Sequence, residues 1–371
     1  MEEKFCTRRG LVLAVIAAGL VMSTAMGTRQ TFGLFLGPFS FNLGLPVTLI
    51  AFAIALHNLT WGLAQPLAGA AADRFGVLPV VIFGALAYAG GLALSALVAS
   101  DVAVVVGIGL LVGVGISCTS FGVVMTAVGK ATSPENRSMA MGLASAGGSL
   151  GQVLLVPLAQ GVMAKGGMNA ALLVLAGIIV AAAPLGLFLD RARPKTTASH
   201  AATYLPFSTV ILQASRHSGY QLLTLGFFAC GFQLAFIATH LPGYLSLCHM
   251  PVGLGAAALA VIGLFNMAGS WGCGWLGGRF RQARVLGWLY LIRGTAIAVF
   301  VVLPKNDASV LVFAAVMGLT WLGTVPLTSG VIASIFGTRH LGTLFGICFL
   351  SHQIGSFLGA WLGGLVFDIT G

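Results

Sequence analysis

Eleven continuous apolar stretches follow one another along this chain, near residues 11–35, 47–71, 78–99, 102–128, 138–163, 169–189, 219–244, 253–277, 284–303, 308–330 and 341–367. Each is close to the length at which a helix crosses a bilayer: about 20 residues at about 1.5 Å each for a hydrocarbon core of about 30 Å. The runs are continuous and lack the alternation of porin strands, so they are read as helices (spans 1–11) rather than as a barrel. Charged residues make up 7% of the chain and hydrophobic ones 58%. A soluble domain carries about 25% charged residues, so lipid is the solvent for most of this surface. The expected fold class is an all-α integral membrane bundle.

The net charge of +10 would suggest nucleic acid as a partner in a soluble protein. Its distribution points to membrane topology instead. Fourteen of the eighteen Lys and Arg residues fall on one side of the alternating spans: Lys4, Arg8, Arg9, Arg74, Lys130, Arg137, Arg191, Arg193, Lys195, Arg216, Arg279, Arg281, Arg284 and Arg339. Lys165 and Lys305 fall on the other side, and Arg29 and Arg293 lie within spans. Basic loops stay cytoplasmic, which predicts a multi-pass protein of the cell membrane, in bacteria the inner membrane, with a cytoplasmic N-terminus. The first apolar run is too long for a signal peptide and reads as a retained span. The six cysteines are scattered without paired metal spacing and read as buried packing residues, so no metal or cofactor is expected.

The longest polar stretch, 190–218, divides the chain into a six-span half (1–189) and a five-span half (219–371). The halves echo each other at an offset of 204–205: Gly142 and Gly151 match Gly346 and Gly355, and Gly69 and Arg74 match Gly274 and Arg279. Parallel repeats of this kind are a transporter signature, with the substrate site between the halves near the midplane. Six-plus-six logic expects a twelfth span beyond Gly371. The protein is expected to be a monomer.

Two of the intramembrane residues are arginines without a carboxylate in any span. All eight acids lie in loops, termini or helix ends. An arginine at mid-depth costs roughly 2.5–3.5 kcal/mol on insertion scales and usually faces a bundle interior or a wet cavity. A missing fixed counter-ion points to a mobile one, an organic anion. Arg29 is the leading candidate, because guanidinium grips carboxylate bidentately; the alternative is snorkelling to the headgroups, since it lies within about ten residues of the expected span end. Arg293 sits near the middle of its span and must find carbonyls, polar side chains or an anion. His57 and Asn58 in span 2, Gln65, Gln152, Gln233 and His240 are further candidates, each with helix-to-helix hydrogen bonding as the plainer reading. His57 is also a candidate proton carrier. Trp321, Thr324, Pro326 and Thr328 form a broken polar stretch in span 10, where proline permits bending.

Gly69-Ala70-Ala71-Ala72-Asp73-Arg74-Phe75-Gly76 lies in the loop between spans 2 and 3. It resembles the G-x-x-x-D-R-x-G signature of the major facilitator superfamily, a resemblance that covers the whole chain once span count, central loop and repeat are included. Small residues there would let span 2 approach its neighbour, with Asp73 facing a helix N-terminus. Val77 and Leu78 replace the usual basic residues, and Gly278 stands where the second copy would have an acid. Within the superfamily the chain is most similar to the monocarboxylate transporters and oxalate/formate exchangers. Arg137, Ala140, Gly142, Ala144, Ala146, Gly147 and Gly151 resemble their span-5 pattern. Arg29 stands within about a residue of a lysine of the former group, and His352 stands in place of a span-11 lysine of the latter. That resemblance makes His352 a substrate and proton-coupling candidate. The group's span-8 arginine is replaced here by Ser270.

The resulting expectation is a secondary carrier for a small organic anion, a monocarboxylate first of all, driven by proton symport or anion exchange. The alternative is an exporter of neutral or hydrophobic drug-like compounds on the same fold. No Walker loop, H-E-x-x-H or G-x-S-x-G occurs, so neither ATP drive nor an enzyme is expected.

Overall fold

A computed structural model describes residues 8–132, 137–191, 212–336 and 341–370. The side chains of Asp73 and Arg137 lie outside the described residues, and with them the expected meeting of Asp73 with a helix N-terminus. Every element among the described residues is helical. Ten helical segments are long and apolar enough to cross a membrane. One of them, Ala140–Arg191, covers two spans: its 52 residues would be about 78 Å long if straight. The chain turns back at Gly167 (φ 79°, ψ 177°), a conformation that glycine adopts without a Cβ penalty. Eleven crossings result, in the order expected.

Several spans differ in detail from the sequence reading. Span 1 is two helices, Arg8–Gln30 and Phe32–Leu43, joined at Thr31. The second helix extends well past the expected end at residue 35. Arg29 is therefore fourteen residues, or about 21 Å, from the end of the apolar rod. That is farther from the helix end than the sequence reading expected. Span 10 is broken into Asp307–Leu319 and Thr324–Phe336, with Pro326 in the first turn of the second piece, where a missing N–H costs nothing. Span 4 breaks similarly, at Ser120, where the backbone is extended (φ −124°, ψ −154°). Ser120 carried forward by the 204-residue offset lands on Thr324, where span 10 restarts.

The glycines explain how each half holds together. Apolar side chains gain little by leaving lipid for another apolar face, so membrane helices associate through close backbone packing. A Cβ placed on Gly151 would fall inside the backbone of Ser23 in span 1, and one on Gly147 inside that of Gly19. The second half repeats this: Gly355 meets the Phe228 carbonyl of span 7 (Ser218–Leu247), and Gly359 meets that of Phe232. Spans 1 and 5, and spans 7 and 11, are thus equivalent backbone-to-backbone pairs. Gly69, Gly142 and Gly346 have open space where a Cβ would stand. The close approach expected of Gly69 does not occur.

Carboxylates sit at helix starts, where unpaired N–H groups and the helix dipole favour them. The Val77 N–H donates to Asp190 at 2.8 Å, so the end of span 6 caps span 3 (Val77–Leu97). Gly76 (φ 97°) lies against the same carboxylate, which explains why that position is glycine. Asp101 and Asp307 occupy first helical turns.

The halves meet along spans 2 and 11 and along spans 5 and 8. From the end opposite the arginine-rich loops inward, Asp368 accepts from the Thr48 N–H (2.8 Å) and hydroxyl (2.5 Å). Phe52 then packs edge-on against Trp361, Gly62 lies against Gln353, and Trp61 meets Phe349. Between spans 5 and 8 (Val252–Arg279), Gln152 donates to the Leu259 carbonyl at 2.7 Å and Asn266 to Ser149 at 2.9 Å. Beyond these residues, toward the arginine-rich end, Gly69, Gly142, Gly272, Gly274 and Gly346 have open space where a Cβ would stand. Directional contacts between the halves thus run from the Asp368 end to the middle of the bundle.

Gly151→Val is expected to abolish the span 1–span 5 contact and lower thermal stability in detergent by more than the roughly 1–3 kcal/mol of ordinary overpacking, because backbone cannot move aside. Gly142→Ala, at an open position, is expected to leave the melting temperature unchanged or slightly raised. Equal tolerance of both would show that the backbone contact does not hold the half together.

Candidate substrate cavity

Arg29 ends the first helix of span 1 and its guanidinium points to span 2. Nη2 donates to Asn58 Oδ1 at 2.7 Å. Asn58, 1% exposed, is held in turn by donating from Nδ2 to the Ile54 carbonyl one turn back. The guanidinium carbon lies 5.4 Å from the Trp61 ring centre, a cation–π contact. Trp61 is oriented by its own N–H, which donates to Gln65 at 2.6 Å. The Arg29 Nε is buried without a partner, while the residue as a whole is half-buried. Its partners are a neutral amide and a ring; no carboxylate is among them.

A small cavity adjoins this group, lined by Arg29, Gln30, Phe32, His57, Asn58 and Thr239, among others. It has room for about one water molecule. His57 is 1% exposed, packs edge-on to Phe32, and has the Ile54 backbone beside its ring. The Gln30 side-chain oxygen in the same lining is buried and unpartnered. Gln233 does not line this cavity.

His352 lies in span 11, with Nδ1 3.1 Å from Gln353 Oε1 and 3.5 Å from Ser356 Oγ. It does not touch Arg29. A chain of rings joins them across the halves: Trp61 meets Phe349 at 5.3 Å, and Phe349 stacks parallel to His352 at 6.2 Å. The two predicted cations therefore stand on opposite sides of an aromatic pair.

Arg293 lies on the His352 side, where its partner Cys230 also neighbours His352. It is 0% exposed and engages its own half: Nη1 donates to Cys230 Sγ at 3.0 Å, and Nη2 to the Thr320 carbonyl and, at 3.2 Å, to the Trp321 carbonyl. Those carbonyls are freed where span 10 breaks, so the guanidinium caps the broken helix. Gln152 and His240 bond to the Leu259 and Ala360 carbonyls and join helices. Arg74 is exposed over the Phe75 ring, at 5.2 Å.

Sequence reasoning gives no role to Trp61, Gln353 or Asn266. Asn266 Oδ1 accepts from the Leu322 N–H at 3.0 Å and from Ser270 at 3.2 Å, while its amide holds Ser149. One side chain thus joins spans 5, 8 and 10, and Ser270, at the place of the missing arginine, serves it. For Trp61 and Gln65, their i, i+4 spacing is the one signal in the sequence that pairs them.

The model of the Major Facilitator Superfamily matches residues 11–366. The chain belongs to this superfamily. Among curated members it is 27% identical to an uncharacterized MFS-type transporter, YcxA, of Bacillus subtilis, over 92% of this chain and 85% of that protein. It is 24% identical to the oxalate:formate antiporter of Oxalobacter formigenes (96% and 84% covered) and to monocarboxylate transporter 13 of Rattus norvegicus (97% and 83%). Among solved structures, a bacterial homolog of the human lysosomal transporter Spinster, in an inward-facing and unoccupied conformation, superposes with a TM-score of 0.74 at 16% identity. That match covers 97% of this chain and 83% of that one. As a member of the Major Facilitator Superfamily the protein is a multi-pass membrane transporter, not an enzyme, with a small-molecule substrate.

The two arginines should separate in stability. Arg293→Met orphans two carbonyls and is expected to destabilise the protein by roughly 1–3 kcal/mol for each. Arg29→Gln keeps an amide that can bond Asn58 and is expected to change stability by about 1 kcal/mol or less. Melting temperatures in detergent check this; a larger drop for Arg29→Gln would make Arg29 the structural residue.

Proposed function

We propose that this transporter carries a small organic monoanion, a monocarboxylate first of all, by alternating access. The observation that supports this reading is Arg29: a cation deep in the bundle, half-buried, engaged only by a neutral amide and an aromatic face, with Nε unpartnered. A buried guanidinium without a fixed counter-ion binds a mobile one, and carboxylate matches its fork. Arg293 is occupied elsewhere, so one cation remains for the substrate, which suits a single negative charge. His57 and Asn58, which line the cavity with Arg29, supply further polar contacts. The relatives named for monocarboxylate and oxalate:formate transport agree with an anion as the substrate class.

The contact between the halves at one end supports alternating access. With the arginine-rich loops cytoplasmic, as their excess of basic residues favours, Asp368–Thr48 closes the outer side. Proton symport and anion exchange both fit a site without membrane carboxylates; His57 and His352 are the candidate proton groups in the first case.

Uptake of labelled lactate, pyruvate, formate and oxalate into proteoliposomes, with and without a pH gradient, tests the reading. Monoanions are expected to exceed oxalate at least ten-fold, about 1.4 kcal/mol of discrimination. Arg29→Lys should be weakened but still anion-selective, and Arg29→Gln inactive yet folded. Asn58→Asp should abolish uptake without loss of thermal stability, because it gives Arg29 a fixed partner. His352→Gln should bind substrate but flatten the pH dependence if symport operates. Parental anion uptake by Arg29→Gln would overturn the site, and uptake of neutral compounds alone would overturn the substrate class.

A further inference from the structure

Span 8 and span 9 (Gln282–Val302) are joined by a turn of two residues, Phe280 and Arg281. Arg279, Phe280, Arg281 and Arg284 are all exposed within six positions. Arg279 lies over the Trp275 ring, its guanidinium carbon 4.3 Å from the ring centre. The chain has six tryptophans. Trp61 and Trp321 are buried and Trp361 is half-buried; the three exposed ones, Trp271, Trp275 and Trp288, all flank this turn. Trp275 stands four residues before Arg279, and Trp288 four after Arg284, so each helix presents arginine at its end and indole about 6 Å deeper on the same face. No Asp or Glu occurs between Asp190 and Asp307, and Asp307 starts span 10 at the far end of span 9.

The equivalent turn of the first half, 205 residues earlier, folds without this cluster. It has one arginine, Arg74, beside Asp73, and no tryptophan. Pro66, Ala70 and Phe83 stand where Trp271, Trp275 and Trp288 do in the second half. They are exposed as well, although the end of span 6 packs on that half through Asp190. The fold therefore leaves these positions open, and the second half alone fills them with indoles and unpaired cations.

We propose that the turn between spans 8 and 9 is a binding site for an anionic phospholipid, its phosphate held by the arginines and its glycerol and upper acyl region against the exposed indoles. Guanidinium forks match phosphate oxygens, and indole rings settle at the headgroup level with their apolar bodies in lipid. A soluble phosphate would meet the arginines but leave the indoles unused, so the charge and the aromatic surface together select a lipid. Span 9 is the least buried of the spans, and its open face continues from Trp288 through Ile292 and Val299 as apolar surface along which an acyl chain can lie. The back of the turn is fixed: a Cβ on Gly330 of span 10 would fall on the Gln282 amide, so the arginines either side of Gln282 are carried on a seated helix start.

The test needs no substrate, so it stands apart from the transport reading. The full chain in phosphatidylcholine nanodiscs receives a minor share of chain-brominated phosphatidylglycerol or chain-brominated phosphatidylcholine, and quenching of tryptophan fluorescence is titrated. Phosphatidylglycerol is expected to be preferred about 25-fold, about five-fold for each of two arginines at the surface. Arg281→Gln and Arg284→Gln should each lower the preference about five-fold, and the double variant should lose it. Inorganic phosphate should leave the quenching unchanged. Equal quenching by the two lipids in the parent, a preference that survives in the double variant, or relief of quenching by inorganic phosphate each overturns the proposal. Both arginines are exposed, so the variants are expected to fold; should they not, the comparison of the two lipids on the parent decides the question alone.

Discussion

Backbone contact through glycine is the interaction on which the rest of this structure depends. In lipid, burying an apolar side chain against another gains little, so helices that must form a rigid unit need close packing instead. Gly147 and Gly151 bring span 5 onto Gly19 and Ser23 of span 1, and Gly355 and Gly359 bring span 11 onto Phe228 and Phe232 of span 7. They also place Arg29 and His352, the leading candidates of the sequence reading, on paired helices either side of the interface.

Once the halves are rigid, polar groups decide how they meet. Asp368 on Thr48, Gln152 on the Leu259 carbonyl and Asn266 on Ser149 are directional contacts that form only in one register. They run from the Asp368 end to the middle of the bundle.

The two membrane arginines look alike in sequence and are unlike in the fold. Arg293 meets three protein acceptors and completes a broken helix; Arg29 meets one amide and retains an unpartnered nitrogen. Composition alone cannot separate them, because what distinguishes them is the neighbour on another span. Trp61 is hidden in the sequence for the same reason: an aromatic in an apolar helix carries no signal until a guanidinium lies over its face.

Helix class, span order and the glycine correspondence of spans 5 and 11 were legible in the sequence, because lipid allows few solutions for a backbone that must satisfy its own hydrogen bonds. So was the break in span 10, at the polar stretch around Pro326. The rarity of charge in the spans also singled out Arg29, which lies farther from the helix end than the expected boundary of span 1 suggested. Tertiary structure alone decided which acid caps span 3 and that Arg293 faces Cys230. Each of these is settled by residues tens or hundreds of positions apart, brought within about 3 Å by helix packing that no local pattern records.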